Sequence, residues 1–315
     1  MTALYANSML AGIQGDREAS ATSVRAARHL TAETDNPVAR ALADLAEGSA
    51  SVFNADYARA RTLLEKSVPV LTEDDLTKFR IAALHMLGVA YEQLDDTDRA
   101  LDCHEQVLAI TRARGESVYQ SYSLWWTAYI TWRRGDPRAS IRMLEQALGT
   151  ARLVHNPNAA AACLELLAWI RAEEATDYRR AAVLLGAADE LARSVGSTPT
   201  TFQDVMRSHH ARCEEATRNA LGTRRFEAAL KEGQQFDVPE AVAYALGEST
   251  PATQVPEDTN PALTKRERQV AGLVSEGLTN KAIAARLVIS PRTAQGHVEH
   301  ILVKLGFTSR TQIAT

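Results

Sequence analysis

The stretch GLTNKAIAARLVISPRTAQGHVEHILVKLG, residues 277–306, decides how the C-terminal part of the chain folds. Its second half predicts a helix over about Ser290 to Leu305. Ser290 can accept a hydrogen bond from an early free amide, Pro291 suits the first helical position, and Gly306 can take the left-handed conformation that ends a helix. Ala294, Val298, Ile301, Leu302 and Leu305 form one apolar stripe at helical spacing. Arg292, Gln295, Gly296, Glu299 and Val303 make a second stripe, and Thr293, His297, His300 and Lys304 a third. A short helix with one apolar face and one hydrogen-bonding face has the form needed to read a major groove.

Working outward, Thr279 predicts the cap of a preceding helix whose Ile283, Ala284 and Leu287 face inward. Before Gly277, Thr264 and Glu267 form a capping-box pattern, opening a helix with Val270, Leu273 and Val274 on its core face. A short first connection and a tight Val288-Ile289 turn predict a helix-turn-helix, with a last short helix from Thr308. From Leu263 onward eight basic residues stand against three acids, net +5; the rest carries 27 basic and 36 acidic residues, net −9. A basic module on an acidic body fits a nucleic-acid partner for the tail and a protein-interaction role for the body.

Leu263-Thr264-x-Arg266-Glu267, Gly277-Leu278-Thr279-Asn280-Lys281-x-Ile283-Ala284, Leu287-x-Ile289-Ser290, Thr293, His297-Val298, Ile301-Leu302, Lys304-Leu305-Gly306 and Ser309-Arg310 closely resemble the LuxR-type DNA-binding domain, in order and without gaps. The resemblance implies that Thr279, Asn280, Lys281, Ser290, Arg292, Thr293 and Lys304 touch phosphate or sit beside it, and that Gln295, Gly296 and Glu299 reach base edges. It also implies double-stranded DNA as partner and a homodimer formed through the last helix. Gln295, Gly296 and Glu299 depart from the common family pattern. Gln can pair adenine and Glu can accept from cytosine, but Glu299 facing phosphate would weaken binding.

Residues 248–262 hold Pro251, Pro256 and Pro261 among polar residues with no hydrophobic period, which predicts a flexible linker. Before it, Ala, Leu, Arg and Glu dominate, and a period shows: Asp16, Asp56, Asp96, Asp136 and Asp177 recur at turn-like positions. Small residues follow four positions later (Ser20, Ala60, Ala100, Ser140, Ala181), and Ser8, Gly48, Gly88 and Ala128 precede by eight; Trp169 breaks that rule, and Ala168 restores it with a one-residue shift. Small residues straddling a turn allow two helices to approach, and the Asp caps the second of them. The pattern resembles the tetratricopeptide repeat with a longer period. It predicts about five helix pairs over 1–195, stacked as a right-handed solenoid, and a helical cap over 196–247. The whole is an all-α chain: helical repeats, cap, linker, and a four-helix domain over 263–315.

Aromatic residues surround one predicted helix: Tyr119, Tyr122, Trp125, Trp126, Tyr129 and Trp132. Aromatics on all sides of a helix cannot all be core, so Tyr122, Trp125, Trp126 and Tyr129 are candidates to line a groove for a protein, peptide or small-molecule effector, against the plainer reading of inter-repeat packing. Cys103, Cys163 and Cys213 are far apart and odd in number, as in a reducing compartment. His209 and Cys213 sit one helical turn apart, but no second Cys/His pair lies near, so no metal is expected. No apolar run spans a membrane and no secretory signal is visible, which points to the cytoplasm. No Ser/His/Asp set, metal cluster or phosphate-cradling Gly-rich loop is present, so neither enzyme activity nor a cofactor is expected.

The run Arg180-Ala181-Ala182-x-Leu184-Leu185-Gly186-Ala187-Ala188-Asp189 resembles the large ATP-binding LuxR regulators, the group of the maltose regulator of enteric bacteria. Without the nucleotide-binding half of that group, the chain reads as a naturally short member, a fragment, or one part of a split system. The sequence therefore predicts a bacterial DNA-binding transcriptional regulator with a sensing repeat body. The alternative is a repeat-based interaction adaptor with a vestigial DNA-binding tail.

Overall fold

Asp16, Asp56, Asp96, Asp136 and Asp177 each begin a helix, their carboxylates accepting the amide three residues on at 2.9 to 3.4 Å. The computed structural model describes residues 1–32, 34–175, 177–196, 204–248, 265–287, 291–305 and 310–313; the side chains of 204, 205, 265, 266, 291, 292, 299, 300, 303–305 and 311 are outside that description. Five helix pairs come first: α1 (Thr2–Ile13) with α2 (Arg17–Ala32), α3 (Pro37–Phe53) with α4 (Tyr57–Ser67), α5 (Thr77–Gln93) with α6 (Thr97–Arg114), α7 (Val118–Arg133) with α8 (Pro137–Leu153), and α9 (Pro157–Glu173) with α10 (Tyr178–Ser194). Then follow α11 (Asp204–Leu221), α12 (Thr223–Gly233) and α13 (Val238–Leu246), which pack on α8, α9 and α10. Asp237 and Glu240 form the expected reciprocal capping box at the start of α13. The chain divides into two units, Met1–Thr250 and Pro251–Thr315. The architecture is all-α, with no strand among the described residues.

The turn inside each of the first four pairs has one construction. Gly15, Ala55, Asp95 and Gly135 take positive φ, at 74°, 61°, 59° and 87°. Each donates its amide to the carbonyl three residues back, and the following Asp donates to the carbonyl five residues back (Ala11, Ser51, Tyr91 and Thr131). This is the Schellman arrangement, which satisfies carbonyls left over at a helix end. The outer Asp of that arrangement is also the N-cap of the next helix. In the fifth pair the left-handed residue is Ala175, two positions before Asp177 instead of one. That extra residue accounts for the one-residue shift from Trp169 to Ala168, which is fully buried.

The small residues lie where the two helices of a pair meet. Ser8 and Ser20 share a buried hydrogen bond of 3.0 Å. A Cβ on Gly48 would lie 2.8 Å from Leu64, and one on Gly88 would lie 2.7 Å from the His104 ring. The closest approach is between α10 and α12, where Cβ atoms on Gly186 and Gly233 would come within 2.0 Å and 1.9 Å of the carbonyl oxygens of Leu230 and Val183. The run Ala181–Ala188 is therefore the flat surface on which α12 rests.

Even-numbered helices α2, α4, α6 and α8 bury one face. By contrast α5 and α9 are buried almost all round. The same holds for much of α7, which packs against α5, α6, α8 and α9. Of the six aromatics around this helix, Tyr119, Tyr122 and Trp132 are half-buried. With neighbours on both sides, Trp125, Trp126 and Tyr129 are all buried.

The turn geometry sets the expected stability effects. Gly135→Ala meets no side chain and carries the left-handed backbone cost alone, about 1 kcal/mol. Ala55→Gly relieves the same cost and should stabilise by about 0.5–1 kcal/mol, net of unfolded-state entropy. Gly186→Ala strikes backbone and should cost about 3 kcal/mol or more. Urea unfolding of the three variants checks the signs and the order.

Candidate nucleic-acid interface and ligand cavity

In the C-terminal unit, α14 (Lys265–Ser275), α15 (Asn280–Leu287) and α16 (Pro291–Leu305) are followed by a 3-10 turn, Arg310–Ile313. Gly277, at φ 81°, closes α14 with the same Schellman bonds, Gly277 to Val274 and Leu278 to Leu273. Thr279 caps α15, accepting from the Ala282 amide at 3.3 Å. Val270, Leu273, Val274, Ile283, Ala284, Ala294, Val298 and Ile301 form the buried core, with Leu278, Leu287, Leu302 and Ile313 packed on it. Ala294, Val298 and Ile301 are the stripe read from the sequence, so α16 turns its Gln295–Gly296 face away from that core.

Thr279, Lys281, Thr293 and Gln295 are exposed, and Asn280, Gly296 and His297 half-buried. Among the described residues, no atom lies within 4 Å of where a Gly296 Cβ would be. Asn280 has a partner that the sequence did not indicate: Arg310 donates to its side-chain oxygen at 2.6 Å and also to the Leu278 carbonyl. That clasp ties the last turn to the start of α15 and leaves the Asn280 amide NH2 group as a donor. Arg292, Glu299 and Lys304 belong to α16, but their side chains lie outside the described residues. Ser290, the Thr264 cap, Gly306, Thr308 and linker residues 249–262 lie outside them as well. Glu248, expected as the first linker residue, pairs with Arg152 of α8 at 2.7 Å.

In the repeat unit a cavity of about 300 Å³ opens among the odd-numbered helices. Tyr122, Trp125 and Trp126 line it, joined by Tyr119, Met86 and His85. Tyr129 does not: it is fully buried behind the wall, its ring stacked on Trp125 at 5.6 Å and edge-on to Trp126 at 5.9 Å. Trp125 is fixed by donating its indole N–H to the Ala162 carbonyl at 2.8 Å. Burial pushes His85 down to about 4, so its imidazole is neutral near pH 7. Its Nδ1 lies 3.4 Å from Ser123 Oγ.

Helix α11 reaches this cavity through Met206. Two adjacent histidines hold the helix. His209 stacks on Trp169 and leans on Trp132 and Tyr129; burial and the nearby Arg212 and Arg133 keep it neutral, at about 4. His210 Nδ1 sits 2.7 Å from the buried Glu165 carboxylate of α9, which also lines the cavity. That hydrogen bond holds His210 above the usual imidazole range, with Asp189 of α10 and Glu214 adding to it. Cys213 is buried beside Thr217, while the His209 ring is taken up by Trp169, Trp132 and Arg212. Among the described residues no group of three His, Cys, Asp or Glu could hold a metal ion. Among them, too, no helix is long and apolar enough to cross a membrane.

Comparison with known proteins agrees with both units. Residues 261–315 match the family of bacterial regulatory proteins, luxR family, and residues 83–117, which take in most of α5 and all of α6, match a tetratricopeptide repeat. HTH-type transcriptional regulators of Mycobacterium bovis and Mycobacterium tuberculosis are 30% identical over 273 residues, covering 86% of this chain and 29% of theirs. The chain thus spans 29% of the length of these relatives. The DNA-binding transcriptional activator DevR/DosR of M. tuberculosis is 47% identical over 58 residues, 18% of this chain and 27% of that one. The nitrate/nitrite response regulator protein NarL of Escherichia coli is 46% identical over 52 residues, 16% and 24% of the two chains. No solved structure matches. The C-terminal helices are a LuxR-family helix-turn-helix domain, carried by a chain of tetratricopeptide-like repeats.

The His210–Glu165 pair has a defined pH signature. A raised imidazole pKa contributes stability that is present below the ordinary value of 6.5 and is lost as pH rises through the raised one, while burial holds Glu165 above the usual carboxylate range, so the charged pair is also lost as pH falls through that value. His210→Gln should cost about 1–2 kcal/mol where the pair is charged. The difference in thermal midpoint between this variant and the unaltered chain should be largest near pH ~6 and narrow steadily on the alkaline side.

Proposed function

We propose that this chain is a DNA-binding transcriptional regulator acting in the bacterial cytoplasm. Its C-terminal unit binds promoter DNA as a homodimer, and its repeat body senses an effector. The observation that carries the reading is the orientation of α16: its Ala294–Val298–Ile301 stripe is buried, so its Gln295–Gly296 face is presented outward. The groove-facing set is Gln295, Gly296 and Glu299. The phosphate-facing set is Thr279, Asn280, Lys281, Ser290, Arg292, Thr293 and Lys304. Capping by Thr279 and the Arg310 clasp support it by fixing the start of α15. The names of the relatives, transcriptional regulators and a transcriptional activator, support the same reading.

The test is a gel shift on the DNA upstream of the chain's own gene at several salt concentrations. Replacing Lys281 and Arg292 by Ala should weaken binding to all sequences alike. It should also flatten the slope of log K against log salt by about 2, near 0.9 for each phosphate no longer neutralised. Gln295→Ala should change which sequence is preferred and leave the salt slope as it is. A salt response unchanged by the double substitution would overturn the proposal.

A further inference from the structure

The cavity of about 300 Å³ is lined by helices far apart in sequence: Met9 comes from α1, His85 from α5, Trp126 from α7, Glu165 from α9 and Met206 from α11. Its size lies at the lower end of the range for small-molecule sites, about 300–1,000 Å³. Its lining is selective by charge. Among the described residues that line it there is neither lysine nor arginine, and one carboxylate, Glu165, which is already matched by His210 at 2.7 Å. An anion placed there would meet a carboxylate and no cation. A cation would have to displace His210 from a buried partner. A polyol would leave most of its hydroxyls unpaired against apolar walls, a penalty on each of them.

What the walls offer is aromatic and thioether surface. Trp125, Trp126 and Tyr119 give fixed faces, while Met9, Met86 and Met206 can shift to fit an irregular shape. Of the polar groups on the lining, Glu165 is matched by His210, and Tyr122 meets Asn156 and Asn158. The buried His85 meets Ser123 through Nδ1, and its second ring nitrogen makes no hydrogen bond to any described residue. A neutral imidazole can donate or accept there, according to its tautomer.

We propose that this cavity binds a small, uncharged, mostly apolar molecule carrying one hydroxyl or carbonyl group, and that His85 is the residue that recognises that group. The proposal rests on reading the repeat body as the sensing part of the chain. An occupant would lie against Met206 of α11 and beside Glu165 of α9, which holds α11 through His210, so binding would bear directly on the seating of α11.

The experiment is calorimetric titration of the full chain, without DNA, against naphthol, naphthalene and naphthoate. These three probes share one ring system and differ in its polar group. Naphthol should bind one per chain, about five- to tenfold more tightly than naphthalene, the worth of one hydrogen bond. Naphthoate should bind at least about tenfold more weakly than naphthol, since its charge finds no partner. His85→Phe should bring naphthol down to the affinity of naphthalene, and Ala162→Phe or Val89→Phe, which fill the cavity, should abolish binding of all three. Helical circular dichroism shows whether each variant folds; should none fold, the comparison of the three probes on the unaltered chain decides alone. Naphthoate binding as tightly as naphthol, undiminished naphthol binding in a folded cavity-filled variant, or no binding of naphthol at all would overturn the proposal. The gel shift needs no ligand and the calorimetry no DNA, so failure of the cavity proposal and failure of the DNA-binding reading are told apart.

Discussion

Each of the first four helix pairs in the repeat unit depends on a turn that ends one helix and caps the next with the same aspartate. Its backbone amide closes the outgoing helix, and its carboxylate receives the first amides of the incoming one. Because one residue serves both helices, no slack separates them, and the angle between them is set by a single left-handed residue. The small residues of each pair then fall opposite one another, as Ser8 and Ser20 do. Contacts between successive pairs follow at nearly constant separation. Arg114 to Asp74 spans 40 residues, Arg133 to Glu92 spans 41, and Trp132 to Glu173 spans 41. The Arg114–Asp74 and Trp132–Glu173 contacts are exposed and contribute little singly, whereas the Glu92 carboxylate is buried; their regularity reflects the repetition of the turn.

What could be read from the sequence is what local chemistry decides. Capping aspartates, small residues straddling a turn, and the apolar stripes of α14, α15 and α16 act over a few residues. They predicted the five pairs, the cap of α13 and the core of the helix-turn-helix. Left-handed Ala55 and Asp95 occupy the positions held by Gly15 and Gly135 elsewhere, and only the repeat itself marked them. The features that the sequence hid join distant residues. His85 meets Ser123 across 38 positions, His210 meets Glu165 across 45, and Arg310 meets Asn280 across 30. No spacing rule announces such pairs. The burial of α7 was hidden for a related reason. A helix with neighbours on two sides has no face reserved for solvent, and its sequence then carries no amphipathic period to read. Tyr129 shows the consequence, being placed by the pattern among groove residues and by packing behind them.

The same packing explains why a cavity exists at all in an otherwise well-filled interior. Trp125 and Trp126 present large, rigid rings to it, and Ala161 and Ala162 on the same lining are too small to fill the space beside them. A void of this kind forfeits the attraction that closer packing would give its lining. The buried imidazoles point the same way. His104 packs against Gly88 and stacks on Trp126 with both ring nitrogens unpaired among the described residues, and His85 stands beside it at 5.5 Å between ring centroids. This central part of the array is therefore less tightly optimised for stability than the alanine-rich contact of α10 with α12.

In an array of stacked pairs, each unit feels mainly its neighbours, and a disturbance at one end reaches the other only by passing through every interface between. The cavity is an exception to that economy. Met9 and Met206, separated by most of the repeat unit, border the same small volume. A molecule held there would act as a clasp between segments that otherwise communicate only step by step. It would turn a chain of independent hinges into a loop whose two ends move together.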